Sequence, residues 1–174
     1  DRVYITSGDI IEDKLELLTG FAERITELAG LRNFPFHAEV RIDSGGRPVP
    51  IEINPLRFGA WCTTADLTGY AFGINPYEQY FYQKRPDWPA LLPSSNGTIY
   101  SLVALNNTTG MSGGSIRDFD YDRLAEQFEK VLEVRKWDYR QNPLFGFLLT
   151  ETRGDNIPEL ENILRSDLSE FVIQ

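Results

Sequence analysis

The chain has 174 residues, which is enough for one domain or for a domain with a small additional subdomain. Apolar residues make up 41% and aromatic residues 13% of it, so a packed core can form and wholesale disorder is excluded. The net charge is −9 and no basic run occurs. This disfavours nucleic acid as a partner, because Lys and Arg side chains supply most of the affinity for a phosphate backbone.

The scarcity of cysteine and histidine limits the metal chemistry. Cys62 is the single cysteine and His37 the single histidine, which excludes an internal disulfide and metal sites built from thiolate or imidazole clusters. Any metal ion must therefore be held by oxygen ligands, which favours Mg²⁺, Mn²⁺ or Ca²⁺. No apolar run is long enough to cross a membrane, and we expect a cytoplasmic protein. Because the sequence begins at Asp1 rather than Met, we also expect it to be cut from a longer protein.

Strand and helix signals follow one another through the first half of the chain. A strand at 3–6 precedes an amphipathic helix that ends near Gly30, with a capping box at Asp9 and Glu12. The pattern then predicts a hairpin of two strands, 36–43 and 48–54, joined by a turn at 44–47, a loop at 55–63, and two short helices, 64–71 and 76–83.

The second half opens with a proline-containing segment, 84–97, which we interpret as a linker. The elements predicted beyond it are a strand at 98–105, a Gly/Ser/Thr/Asn loop at 106–115, a helix at 121–132, a strand at 144–150 and a helix at 158–171. The predicted fold class is α+β, an antiparallel sheet with flanking helices. Residues 1–83 form the principal subdomain and residues 98–174 a small mixed α/β extension.

The hairpin carries the most informative pattern. If Gly45-Gly46 is a two-residue turn, Glu39 lies directly opposite Glu52 and His37 directly opposite Asn54. Alternation along the strands then assigns each residue to a face. One face holds Glu39, Arg41, Asp43, Glu52 and Asn54, and the other is apolar, with Ala38, Val40, Ile42, Val49, Ile51 and Ile53.

Two carboxylates in directly opposed positions repel each other unless they share a proton or a cation. Asn54 adds a neutral oxygen beside Glu39 and Glu52. Two acids and an amide are ligands that a hard divalent ion prefers, and Mg²⁺ commonly fills its remaining positions with phosphate and water. The pattern therefore points to Mg²⁺ bridging to a nucleotide. The simpler interpretation is a solvated polar face on a half-buried hairpin.

The segments HAEVRID and PIEINPLRFGAW resemble the metal-binding hairpin of the ATP-grasp superfamily, in which an acid on one strand is followed by Glu-x-Asn on the next. The resemblance covers roughly residues 1–83. It implies the C-terminal subdomain of an ATP-grasp fold, with Glu39, Glu52 and Asn54 as ligands of Mg²⁺ or Mn²⁺ between the phosphates of ATP.

The resemblance also implies an activity. Such enzymes phosphorylate a small carboxylate to an acylphosphate, which an amine then attacks. Arg57 would be the catalytic clamp on the phosphates or the acylphosphate, and Arg41, Ile51 and Arg57 are candidates for contact with the nucleotide. The family's first nucleotide-binding lobe, which carries the phosphate-covering loop, does not occur in this sequence and would be a partner.

Other interpretations of these residues remain open. The chain could be a non-catalytic or truncated ATP-grasp-like module that binds a partner. It could also be a hydrolase that uses Glu39 and Glu52 as an acid–base pair without nucleotide. A substrate pocket could be lined by Trp61, Cys62, Thr63 and Thr64, or these residues could belong to the core.

Overall fold

The computed structural model describes residues 2–59, 61 and 63–174. The strands are β1 (Val3–Thr6), β2 (Phe36–Ile42), β3 (Pro48–Pro55), β4 (Thr98–Asn106), β5 (Asp118–Phe119), β6 (Lys130–Lys136), β7 (Leu144–Arg153) and β8 (Val172–Ile173). The helices are α1 (Gly8–Ala29), α2 (Thr63–Phe72), α3 (Pro76–Phe81), α4 (Trp88–Leu91), α5 (Tyr121–Ala125) and α6 (Ile157–Arg165). Short 3₁₀ turns lie at Leu92–Ser95, Gly113–Ser115 and Ser169–Phe171.

The chain divides into two units. We call Ser7–Asn96 the hairpin unit, and residues 2–6 together with Gly97–Gln174 the sheet unit. The α+β fold class with antiparallel sheets and flanking helices is confirmed. The opening strand β1 is part of the sheet unit, and the segment 84–97, predicted as a linker, contains α4 and a 3₁₀ turn with buried Leu92 and Ser95.

The sheet unit is built on four antiparallel strands in the order β1-β4-β7-β6. The central strand β7 is buried from Leu144 to Thr150, so both of its faces are covered. The aromatic ring of Phe119 stacks on Phe145 with centroids 4.1 Å apart, and the Tyr121 hydroxyl donates to the Phe145 carbonyl oxygen at 2.6 Å. Burial raises the pKa of Tyr121 to about 12.

Two predicted helices of this unit are too long. The helix predicted at 121–132 ends at Ala125, and residues 130–136 form β6, because pairing with the edge of β7 overrides the local helical pattern. The last helix ends at Arg165 rather than 171. Leu168 adopts a left-handed backbone with φ 68°, and the chain turns into β8, which pairs with β5.

The hairpin unit begins with α1. The predicted capping box at Asp9 and Glu12 is wrong, because the cap is Ser7, whose hydroxyl accepts the Ile10 N–H at 3.1 Å. The helix ends at Gly30 as predicted, with a left-handed φ of 64°. Among the described residues, no helix is long and apolar enough to span a membrane.

Apolar side chains of this unit remain open to solvent. On α1 they are Ile10, Leu15, Leu18 and Leu28, and on the hairpin they are Ile42, Ile51 and Ile53, each 39–72% exposed. The hairpin face that the sequence predicts for burial is therefore exposed at these three isoleucines, whereas its Ala38 and Val40 are half-buried.

Two glycines of α1 give a matched test of its packing. A Cβ at Gly8 would collide with the Leu92 carbonyl oxygen, whereas a Cβ at Gly20 would meet nothing within 4 Å. We expect Gly20→Ala to stabilise the protein by about 0.5–1 kcal/mol, because alanine lowers the entropy cost of helix formation. Gly8→Ala should destabilise it. Urea unfolding followed by circular dichroism measures both, and an equal effect of the two variants would contradict the packing of α1 on the 92–95 turn.

Candidate functional site

The pairing register of the hairpin brings the predicted residues together. Glu39 is paired with Glu52 and His37 with Asn54, so the predicted register of these positions is confirmed. The side-chain amide of Asn54 donates to Glu52 Oε1, which shows that these two groups lie on the same side of β3.

The predicted turn is wrong, although the register that it implied is right. The turn has three residues between Asp43 and Arg47, and Gly46 takes a positive φ of 78°. Beyond it a β-bulge at Ile51 adds one residue to β3, so the pairing returns to the predicted register at Glu52. Between the turn and the bulge the register differs by one residue from the prediction, which places Val49 opposite Arg41, on the acidic face rather than the predicted apolar face.

The turn is fixed by Asp43. Its carboxylate accepts the backbone N–H groups of Gly45 and Arg47 at 2.9 Å, and it pairs with the Arg47 guanidinium at 2.8 Å. These bonds from Arg47 and Gly45 hold the pKa of the Asp43 carboxyl below its usual range. The partner of Asp43 is therefore Arg47.

The lowered pKa of Asp43 predicts an acid-sensitive turn. The carboxylate stabilises the turn fully above the ordinary aspartate pKa, and this contribution is lost as the pH falls through the lowered value. The amide NMR signals of Gly45 and Arg47 should therefore shift at the acid end of a titration. Asp43→Asn should remove this transition and Asp13→Asn should keep it; a transition that survives in Asp43→Asn would contradict the assignment.

Arg57 lies beside the acids. Its Nη2 is 3.3 Å from Glu52 Oε1, in a pair whose side chains are 40% and 52% exposed. Leu56 has a left-handed backbone with φ 59° and donates its N–H to the Pro35 carbonyl oxygen at 2.9 Å. This reversal, which is uncommon for a residue with a side chain, brings Arg57 back toward β3 and is the feature of the site that the sequence did not reveal.

The remaining predicted site residues, Arg41 and Ile51, form no ion pair or side-chain hydrogen bond with Glu52 in the described part of the chain. Arg41 is exposed on the acidic face and has no ion pair within the described part of the chain, and Ile51 is 57% exposed at the bulge. Trp61 is 61% exposed, whereas Cys62 lies outside the described residues.

Residues 1–65 match the family model of the ATP-grasp domain. These residues are part of an ATP-grasp domain. The resemblance found in the sequence is thereby confirmed for this segment. Over 99% of its length the chain is also similar in structure to the L-amino acid ligase from Bacillus licheniformis, with a TM-score of 0.68 and 17% sequence identity.

That similarity shows a shared fold. The chain spans 43% of the length of the ligase, less than half of it. No curated protein matches the chain by sequence.

The ATP-grasp hairpin has the chemistry of a site for a hard cation. Glu39, Glu52 and Asn54 offer carboxylate and amide oxygens only, and their partial exposure leaves room for phosphate and water as further ligands. In the described ranges, no cluster of three or more His, Cys, Asp or Glu side chains is arranged to hold a metal. The two acids and the amide offer oxygen ligands for only part of the coordination shell of such an ion.

Without a bound metal ion, the opposed carboxylates of Glu39 and Glu52 should lower the free energy of unfolding. Replacing one of them, as in Glu39→Gln, should stabilise the metal-free protein by roughly 0.2–1 kcal/mol, because the like-charge repulsion across the strands is removed. Urea unfolding in the presence of a chelator measures this change. Glu16→Gln on the exposed side of α1 is the matched control for net charge; equal effects of the two variants would contradict direct repulsion.

Proposed function

We propose that the chain is the metal- and phosphate-binding part of an ATP- and Mg²⁺-dependent ligase, which activates a carboxylate as an acylphosphate for attack by an amine. The observation that supports this most strongly is the pairing of Glu39 with Glu52, with Asn54 and Arg57 both in contact with Glu52. An ATP-grasp segment at residues 1–65 supports ATP as the nucleotide.

In this proposal Glu39, Glu52 and Asn54 hold Mg²⁺ (or Mn²⁺). The bound ion would neutralise charge on the phosphates of ATP during transfer. The γ-phosphoryl group passes to a carboxylate oxygen of the substrate and ADP leaves. The amine then forms the C–N bond, loses a proton and displaces inorganic phosphate.

Arg57 has the second role. Its guanidinium is planar and permanently charged, and it can contact two oxygens of a phosphate or acylphosphate at once. The contact with Glu52 orients the Arg57 guanidinium before the substrate binds. Arg57 would give up this ion pair, which joins two partly exposed groups, when it turns to the phosphate. Glu52 is consequently shared between the metal and Arg57.

A further lobe should complete the nucleotide site. The chain has 43% of the length of the ligase that it resembles, and the apolar faces of α1 and the hairpin are open. Exposed apolar faces of this kind are typical of surfaces that pack against another element. Arg41 and Ile51 remain proposed nucleotide contacts.

The metal site can be tested in this chain with Mn²⁺·ADP, whose paramagnetism broadens nearby NMR signals even when binding is weak. We expect broadening centred on the amides of Glu39, Glu52 and Asn54. Glu52→Gln should weaken binding by about tenfold or more, which corresponds to ~1.4 kcal/mol. Glu16→Gln should bind as the wild type does.

Two outcomes would reject the proposal. One is equal broadening in Glu52→Gln and wild type, and the other is broadening spread over acidic residues away from the hairpin. If Mn²⁺·ADP binds as expected but the protein that contains this chain forms no ADP with any carboxylate and amine, the non-catalytic module is the correct alternative.

A further inference from the structure

A second feature of the hairpin unit has no role in the metal site. It is a cavity of about 510 Å³ between the chain that enters β2, the α2 helix and the segment 74–88. Its volume is in the range of small-molecule sites. Five aromatic side chains line it: Phe34, Phe36, Phe58, Tyr80 and Trp88. All of its lining residues belong to the hairpin unit.

The charge of the lining differs from that of the protein. The chain has 26 acidic and 17 basic residues, yet among the described residues the cavity is lined by Lys84 and Arg85 and by no carboxylate. Both cations are exposed at its rim. Lys84 has a partner in Glu78 at 3.5 Å, whereas Arg85 makes no ion pair or hydrogen bond with any described residue. An apolar cavity with a cationic rim favours an anionic ligand with a large apolar group.

The cavity adjoins the acidic face of the hairpin. His37 lines the cavity and is paired with Asn54. On β2, His37 lies two residues before Glu39. Two residues of a strand span about 7 Å, and alternate residues share a face. A ligand in the cavity would therefore lie next to the proposed phosphate site.

The imidazole of His37 belongs to the cavity wall. Its Nδ1 is buried and has no hydrogen-bond partner among the described residues. A buried polar atom without a partner is costly, and a ligand or an ordered water would satisfy it only if the cavity wall opened around it.

We propose that this cavity binds an organic carboxylate with an aromatic or branched apolar group, the apolar group among the aromatic rings and the carboxylate at Arg85. Its assignment as the seat of the organic substrate rests on the proposed ligase function. The binding itself does not, because neither metal nor nucleotide takes part in it.

The test uses N-acetyl-phenylalanine as the probe, without nucleotide and with a chelator present. The indole NMR signal of Trp88 and the amide signals of 33–37 and 76–85 should shift on titration. The neutral amide of the probe and acetate should each bind at least about tenfold more weakly, since one lacks the charge and the other the apolar group.

Variants locate the two contacts. Arg85→Gln should weaken binding of the carboxylate by about tenfold and leave the weak binding of the amide unchanged. Gln79→Trp, which places a large ring in the cavity, should abolish binding of both. Arg165→Gln in the sheet unit is the matched control and should bind as the wild type does.

The proposal is overturned if the amide binds as tightly as the acid, if Arg85→Gln and Gln79→Trp leave the affinity unchanged, or if the shifts appear on the exposed face of α1. That face has a groove of about 540 Å³ lined by α1 residues alone. Glu52→Gln separates the two hypotheses, because it should lose Mn²⁺·ADP and keep the probe.

Discussion

The repulsion between two carboxylates held face to face is the constraint on which the site depends. Glu39 and Glu52 occupy paired positions of an antiparallel ribbon, where two side chains of like charge are close enough to repel each other. Asn54 and Arg57 partly relieve this by contacting Glu52, but Glu39 has no such partner in the described structure. The arrangement stores an unfavourable interaction that a divalent cation would relieve, and this is the physical basis of the proposed metal site.

Two local irregularities make that arrangement possible. The bulge at Ile51 restores the pairing of the acids after a turn of three residues, and the left-handed backbone of Leu56 returns Arg57 to the acids. Each departs from regular β geometry next to the proposed site. Bulges and residues of positive φ are both found frequently where a strand must direct a side chain toward a ligand.

The hairpin unit places acidic and basic side chains on different surfaces, which the net charge of −9 does not reveal. Acidic side chains lie on one face of the ribbon, and the charged side chains that line the neighbouring cavity are, among the described residues, the cations Lys84 and Arg85. In the two proposals, a metal–phosphate complex would bind at the acidic face and an organic carboxylate at the cationic rim. His37 is the residue shared by the two, because it lies on the acidic face and lines the cavity.

The sequence by itself determined the helix α1 and the two hairpin strands, because hydrophobic periodicity acts over short distances along the chain. The sequence predicts the pairing of Glu39 with Glu52 from a two-residue turn, and the pairing holds because the bulge at Ile51 offsets the third residue of the actual turn. The ATP-grasp character followed from the same local pattern. Only the tertiary structure decided that residues 130–136 form a strand, since their conformation depends on pairing with β7, the next strand along the chain, and not on their own local pattern. The same is true of the cavity, whose rim at Lys84 and Arg85 lies in a segment that reads as a linker until its packing against α2 and the chain before β2 is seen.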